Sequence, residues 1–449
     1  MNKVIFYLVI IFCALIPSGI KAQNTHWEAV TPSWQAYQTN VIYPDTVDDR
    51  LYIGGYTSNG ICYYDGDSII PMGNVLCSGG VRTIIRYHDT LYVGGNCGTR
   101  SILKWNGTIW DTVGISPNGQ VYAFYIYNDE LYVGGTFTSI AGVNAKSLAK
   151  YNGSMWTPIG NYPGNANFIN DEIFAITFYN GELYVGGIIV DSVGTQTNLL
   201  KWNGASWVGV GQGLHGGWSW VNSFAEYNNQ LYIGGAFRAS AGNPSDYIVK
   251  WDGNILSDVG GGVMGNNNSN GRVHDLMVYN NDLYASGAFS YAGGVFAQYI
   301  AKWDGTNWCG FGDTLHNIVP SLASYRGDLY MGGSWWIIGT DTLAGAAKWI
   351  GGNDVGACGN MTGITENNTS NFSVSIFPNP ATTNAIFQIV GLNENKTLII
   401  YDQIGKEIWR KETTDNQIEF SSEGFATGLY YYQMQSENGS ASSGKFIIE

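Results

Sequence analysis

The sequence predicts an all-β fold, a seven-bladed β-propeller followed by a small C-terminal β-sandwich. Three observations carry this. First, the phrase Leu-Tyr-Val-Gly-Gly at Leu131 to Gly135 recurs with variation from Leu51, Leu91, Leu183, Leu231, Leu283 and Leu329, at intervals of 40, 40, 52, 48, 52 and 46 residues. A period of this size marks stacked supersecondary units. Second, only 12% of residues are charged while 14% are aromatic and 61 are glycine, which suits short strands and tight turns. Third, no long amphipathic helical pattern follows the N-terminus.

Each repeat extends in the same order. A first strand carries an apolar residue six before a Tyr, as in Val121 and Tyr127 or Val273 and Tyr279. Turn residues such as Asn128-Asp129-Glu130 then lead into the recurring phrase, which reads as the second strand of a hairpin. The glycine pair ends that strand where backbone must turn or approach closely. A longer loop precedes a third strand ending in Lys-Trp-Asn-Gly or a relative, at Lys104 to Gly107 and again at Lys302 to Gly305. A fourth strand starts with Trp at Trp110, Trp156, Trp207 and Trp308. The seventh copy lacks this strand after Lys348-Trp349, and Trp27-Glu28-Ala29-Val30 is expected to supply it and close the ring. The repeated Trp and Tyr residues read as packing between blades.

These residues carry a resemblance. The order apolar strand, Gly-Gly, spacer, Tyr or Trp, turn, Trp resembles the kelch repeat and the galactose-oxidase-like propellers over residues 27–356. The phrases Gly287 to Phe289 and Ile300 to Gly305 also look like repeats of fungal cortical-marker and bacterial surface proteins. The resemblance implies a fold and no particular chemistry. No copper-ligand set of the galactose-oxidase kind can be placed.

The ends suggest export. Residues 1–22 read as a signal peptide, with Lys3 before the apolar run Val4 to Ile16 and Ala22 at the cleavage position. The propeller is expected over 23–358, a polar linker over 359–372, and the sandwich over 373–449. This last block has Phe377-Pro378-Asn379-Pro380-Ala381, Ile400 to Lys406, Gly428-Leu429-Tyr430-Tyr431 and Lys445 to Ile448. In that order they resemble the type A C-terminal sorting domain of type IX secretion in Bacteroidetes. The resemblance implies an outer-membrane translocon as partner, and a secreted or surface-attached product after signal-peptide cleavage. Asp-Ser/Thr-apolar triplets such as Asp45-Thr46-Val47 and Asp111-Thr112-Val113 resemble the O-glycosylation sequon of the same bacteria. They suit turn chemistry equally.

A net charge of −14 without a basic run excludes nucleic acid as a partner, and no later stretch reads as a transmembrane helix. Exported cysteines can pair. Cys77 and Cys97 flank one hairpin and are the preferred disulfide; an odd mature count leaves at least one thiol free or paired between molecules. No cofactor or metal set is recognisable. Asp45, Asp48 and Asp49 match no defined calcium loop and read as a solvated turn. His274 and Asp275, adjacent in a strand, should face opposite ways, so no catalytic residue is assigned.

Function is sought where the repeat is broken. One residue after the first-strand apolar position the copies read Arg82, Tyr122, Phe174, Asn222, His274 and Pro320. Trp218, Trp220 and Trp336 have no counterpart in other copies. Arg82, His274 and these three tryptophans are the candidate ligand-binding residues. The favoured reading is a non-catalytic binding protein presenting one propeller face to a glycan or surface protein. The alternatives are an enzyme acting on extracellular polysaccharide and an adhesive surface-layer component.

Overall fold

The computed structural model describes residues 26–30, 36–57, 60–74, 80–97, 100–114, 116–160, 171–190, 196–216, 219–265, 271–311, 315, 317–334, 336–338, 341–343, 345–351, 358, 372–392, 394–402, 406–436 and 441–448. The chain forms two compact units, Met1–Ala357 and Cys358–Glu449.

In the first unit the described residues form seven four-stranded antiparallel sheets. Their first strands are Ala36–Asp45, Val81–Tyr87, Val121–Tyr127, Glu172–Tyr179, Val221–Tyr227, Arg272–Tyr279 and Ser321–Tyr325. Each first strand touches the next, and the last touches the first, so they surround a central channel. A ring of such sheets is a β-propeller. The ring closes as the sequence implies. Trp27–Ala29 pairs antiparallel with Ala346–Trp349 as the outer strand of the seventh sheet, with Trp27 opposite Trp349.

The repeated residues build the contacts between sheets. Leu131, Tyr132 and Val133 of the recurring phrase are buried. The first glycine of the pair receives the next sheet's apolar residue: a Cβ on Gly94 would stand 2.6 Å from Val121 Cγ1. A Cβ on the second glycine, Gly95, would run into the Gly80 carbonyl oxygen. First-strand tyrosines reach the hairpin turn of the following sheet. Tyr87 donates to the Asp129 carbonyl at 2.9 Å, and Tyr325 crosses the closure to the Asp49 carbonyl at 2.8 Å. Outside the first sheet, whose loop is residues 46–49, those turns are two-residue loops with both residues left-handed, as at Asn128 (φ 49°) and Asp129 (φ 62°), the geometry that matches strand twist. Fourth-strand tryptophans look backwards: Trp110 Nε1 donates to Met72 O and Trp308 Nε1 to Val259 O, both at 2.8 Å. Aromatic burial of this kind contributes roughly 1.5–3 kcal/mol per side chain.

One expectation is corrected. Residues 46–49 form an exposed turn, as expected for Asp48 and Asp49, but Asp45 does not belong to it. Asp45 is buried and takes a hydrogen bond from Arg86 Nε at 2.7 Å, and Arg86 also pairs with Asp48. Asp49 pairs with Arg326 at 2.7 Å across the closure. Arginines on neighbouring sheets claim these carboxylates. Cys62 is a buried free thiol whose pKa burial raises, while Cys97, Cys309 and Cys358 are disulfide-bonded. Cys77, the expected partner of Cys97, lies outside the described residues, as does the expected signal peptide.

The second unit packs a three-stranded sheet (Ser373–Phe377, Asn384–Val390, Gln417–Ser421) and a four-stranded sheet (Glu407–Thr413, Lys396–Tyr401, Gly428–Ser436, Ala441–Ile448) around a shared core. Alternation dictates this, since Leu398, Ile400, Phe387, Phe420 and Phe446 all point inward and are fully buried.

Candidate functional site

The first strands do not alternate strictly. In each of the first six sheets the register shifts by one residue near the strand start, for example between Val81 and Thr83 and between Val273 and Asp275. Such a bulge re-aims the extra side chain. The extra residues are Asn40, Arg82, Tyr122, Phe174, Asn222 and His274, with Pro320 at the matching place before the seventh first strand. All are exposed or half-buried although their preceding neighbours, such as Val81, Val121 and Val273, are buried. They ring one mouth of the channel. The long loops after the glycine pairs open at the same end. These loops carry the small hairpins Ser139–Ile140 with Val143–Asn144 and Trp336–Ile338 with Asp341–Leu343.

Two ring members are structural. Asn40 Nδ2 donates to Val81 O at 3.1 Å and Asn222 Nδ2 to Val273 O at 2.7 Å, tying each sheet to the next. The others form an aromatic and cationic lining. The Tyr122 and Phe174 rings meet edge-on at 5.1 Å. The Arg82 guanidinium lies over the Tyr56 ring, 5.6 Å from its centroid, and donates to the Tyr56 hydroxyl at 3.2 Å. Tyr122 donates to Gln120 Oε1 at 2.7 Å, and its pKa is pushed up to about 12 by burial, with Glu172 adding to the shift. Glu172 is raised by burial alone. Arg272 is half-buried, its pKa lowered by desolvation, and it makes no ion pair or hydrogen bond among the described residues. His274 Nε2 is buried without a hydrogen-bond partner. Burial, then the charges of Arg272 and Arg82, push the imidazole down to about 3, so it is neutral at pH 7. Arg82 reaches His274 electrostatically although it belongs to the second sheet and His274 to the sixth, so these groups converge at the mouth.

Asp275 serves the scaffold. It accepts hydrogen bonds from Ser223 Oγ at 3.2 Å, from its own neighbour Leu276 N at 2.9 Å and from Leu322 N at 2.8 Å, which joins three sheets. Desolvation raises its pKa to about 6. A carboxyl with a raised folded pKa contributes stability that is complete below its unfolded value near pH 4 and is lost as pH rises through 6. The loss is about 3 kcal/mol. His274, with a depressed folded pKa, works in the opposite sense, so the Asp275 contribution is read as a difference. In urea unfolding, Asp275→Asn should gain about 3 kcal/mol relative to the parent between pH 4 and pH 7. A difference that does not change with pH would refute the shift.

Of the five residues singled out from sequence, the structure brings Arg82 and His274 together at the mouth. Trp220 is half-buried, immediately before Val221. Trp218 lies outside the described residues, and of Trp336 only the backbone, in its hairpin, is described. Tyr56, Glu172 and Arg272 were not anticipated. Glu172 and Arg272 sit one residue before the apolar position and could have been found by aligning the copies there. No group of three His, Cys, Asp or Glu among the described residues is placed to hold a metal ion.

In the second unit the two ends of the sorting motif meet. Asn379 Oδ1 accepts from Ile447 N at 2.9 Å, and Ala381 N donates to Ile447 O at 2.8 Å. Thus Phe377 to Ala381 clamp the Lys445-led terminal strand. Gly428 and Tyr430 lie in the strand paired with it, with Tyr430 opposite Phe446.

Comparison with known proteins gives the second unit a family. Residues 375–449 match the secretion system C-terminal sorting domain. This is a type IX sorting tail; it indicates export to the cell surface or beyond and interaction with the type IX machinery. No described helix is long and apolar enough to cross a membrane. No curated protein matches the chain. Among solved structures, the extracellular domain of BT4673 from B. thetaiotaomicron is 12% identical at TM-score 0.47, covering 94% of this chain and 57% of that one. The extracellular domain of BT3049 from the same organism is 10% identical at TM-score 0.49, covering 95% and 56%. PorZ, a surface component of the type IX secretion system of Porphyromonas gingivalis, is 12% identical at TM-score 0.37, covering 89% and 64%. The chain thus spans less than two thirds of each of these proteins.

Proposed function

We propose that this chain is an exported, non-catalytic binding protein: a seven-bladed, kelch-like propeller that presents its bulge-ringed mouth to a glycan outside the cell, carried there by its sorting tail. One observation supports this above the rest. Scaffold positions repeat around the ring, yet the bulge positions hold Arg82, Tyr122, Phe174 and His274, which differ from one another, and the first three stay at least partly accessible. Bulged strands near a ring opening commonly re-aim side chains toward ligand. The faces of Tyr122 and Phe174 suit stacking on sugar rings, and Glu172 and Gln120 can take sugar hydroxyls.

A glycan array with the full chain tests this. Tyr122→Ala with Phe174→Ala should weaken the strongest binding roughly tenfold or more, with the melting temperature of the first unit retained. Unchanged binding would remove this face from consideration.

A further inference from the structure

Arg272 is the outlying observation. A guanidinium cannot shed its proton at any physiological pH, so burying half of it without a counter-ion is costly. Every other arginine with a shifted pKa has an acidic partner: Arg86 with Asp45, Arg326 with Asp49, Arg50 with Asp48, Arg410 with Glu407. Arg272 has none among the described residues, in a chain where acids outnumber bases 35 to 21. Arg82, at the same mouth, is paired among the described residues only with the hydroxyl and ring of Tyr56. The charges of both arginines act on His274, whose Nε2 is buried without a hydrogen-bond partner among the described residues. Two guanidinium groups without an acidic partner among the described residues, at the same mouth as the aromatic pair Tyr122 and Phe174, suit an anion attached to a ring.

Resting on the reading of this mouth as the binding face, we infer that the ligand is a carboxylate-bearing sugar, a uronic or sialic acid unit of an extracellular glycan. The carboxylate would lie between Arg82 and Arg272, and the sugar ring against Tyr122 and Phe174. The planar fork of a guanidinium matches a carboxylate in two parallel hydrogen bonds. The net charge of −14 disfavours densely charged polymers such as polyphosphates or nucleic acids at long range, whereas a single carboxylate is screened within about 10 Å. Glu172, at the same mouth, can accept hydrogen bonds from sugar hydroxyls.

The test is an array on which each acidic glycan is printed beside its carboxyl-reduced form, probed with the full chain and with Arg82→Gln plus Arg272→Gln. The parent should prefer acidic forms, and the double variant should lose that preference by roughly tenfold or more while its melting temperature is unchanged. Equal binding to acidic and reduced forms, with loss in Tyr122→Ala plus Phe174→Ala, would overturn the carboxylate inference and leave the binding face standing. Binding to no glycan would overturn both. An arginine variant that weakens neutral and acidic glycans alike would also overturn it, by assigning those side chains to the scaffold.

Discussion

Replacing Trp27 by alanine should lower the stability of the propeller unit by about 3–5 kcal/mol, and deleting residues 26–30 should prevent it from folding as a ring. Trp27 is 2% exposed. Its ring meets Trp349 edge-on at 5.0 Å and lies 5.9 Å from Phe311. The strand is fixed at both ends, since Val30 N donates to Ala346 O at 3.1 Å and Ile350 N to His26 O at 2.7 Å. Removing it exposes the apolar face of the seventh sheet and leaves a row of unpaired backbone groups on Ala346–Trp349, an edge open to aggregation. Urea unfolding of Trp27→Ala followed by tryptophan fluorescence, with circular dichroism of the deletion, measures both. A Trp27→Ala variant within 1 kcal/mol of the parent would show that the closure is dispensable.

Lys396→Ala should destabilise the sorting unit by about 2–4 kcal/mol without moving the melting transition of the propeller. Lys396 is 1% exposed. Its ammonium donates to the Leu392, Thr414 and Asp415 carbonyls at 3.1, 3.1 and 3.2 Å, and to Asn416 Oδ1 at 3.0 Å. Desolvation lowers its pKa, and the charges of Asp415 and Glu394 oppose that shift. Alanine would leave those acceptors facing a cavity, and the turn 414–416 would lose its anchor. Calorimetry should therefore show one shifted and one unshifted transition. With residues 359–449 fused to a reporter in a host competent for type IX secretion, the parent tail should export the reporter and the Lys396→Ala tail should retain it in the periplasm. Full export by the variant would mean that recognition tolerates a loosened tail.

Strand order was legible because alternation and turn chemistry are local. The hairpin turn at Asn128-Asp129 and the inward Phe387 and Phe420 follow from neighbours in sequence. The closure was legible by subtraction, since the seventh copy lacks a strand that Trp27 to Val30 resembles. The mouth was half legible. Its off-pattern residues stand out against the repeat, but a bulge has no residue signature, and so the register shift at His274 could not be read from the strand pattern. Asn40 stayed hidden because Thr39 stands where the other copies have a Val or Ile. Lys396 and the Arg86 pairing with Asp45 were illegible for a different reason. Both depend on segments far apart in sequence, and a lysine before a strand reads by itself as a solvated end.

The pairing of Trp27 with Trp349 also governs how the molecule can be made. A chain emerging from its N-terminus can stack its sheets one after another, because each needs only its neighbour. The first strand to appear is the last to find its partner, and it must stay unoccupied until residue 349 has arrived. Until then every intermediate is an open arc with two unsatisfied faces. The closing contact thus joins residues more than 300 apart in sequence, the kind of long-range pairing that slows folding.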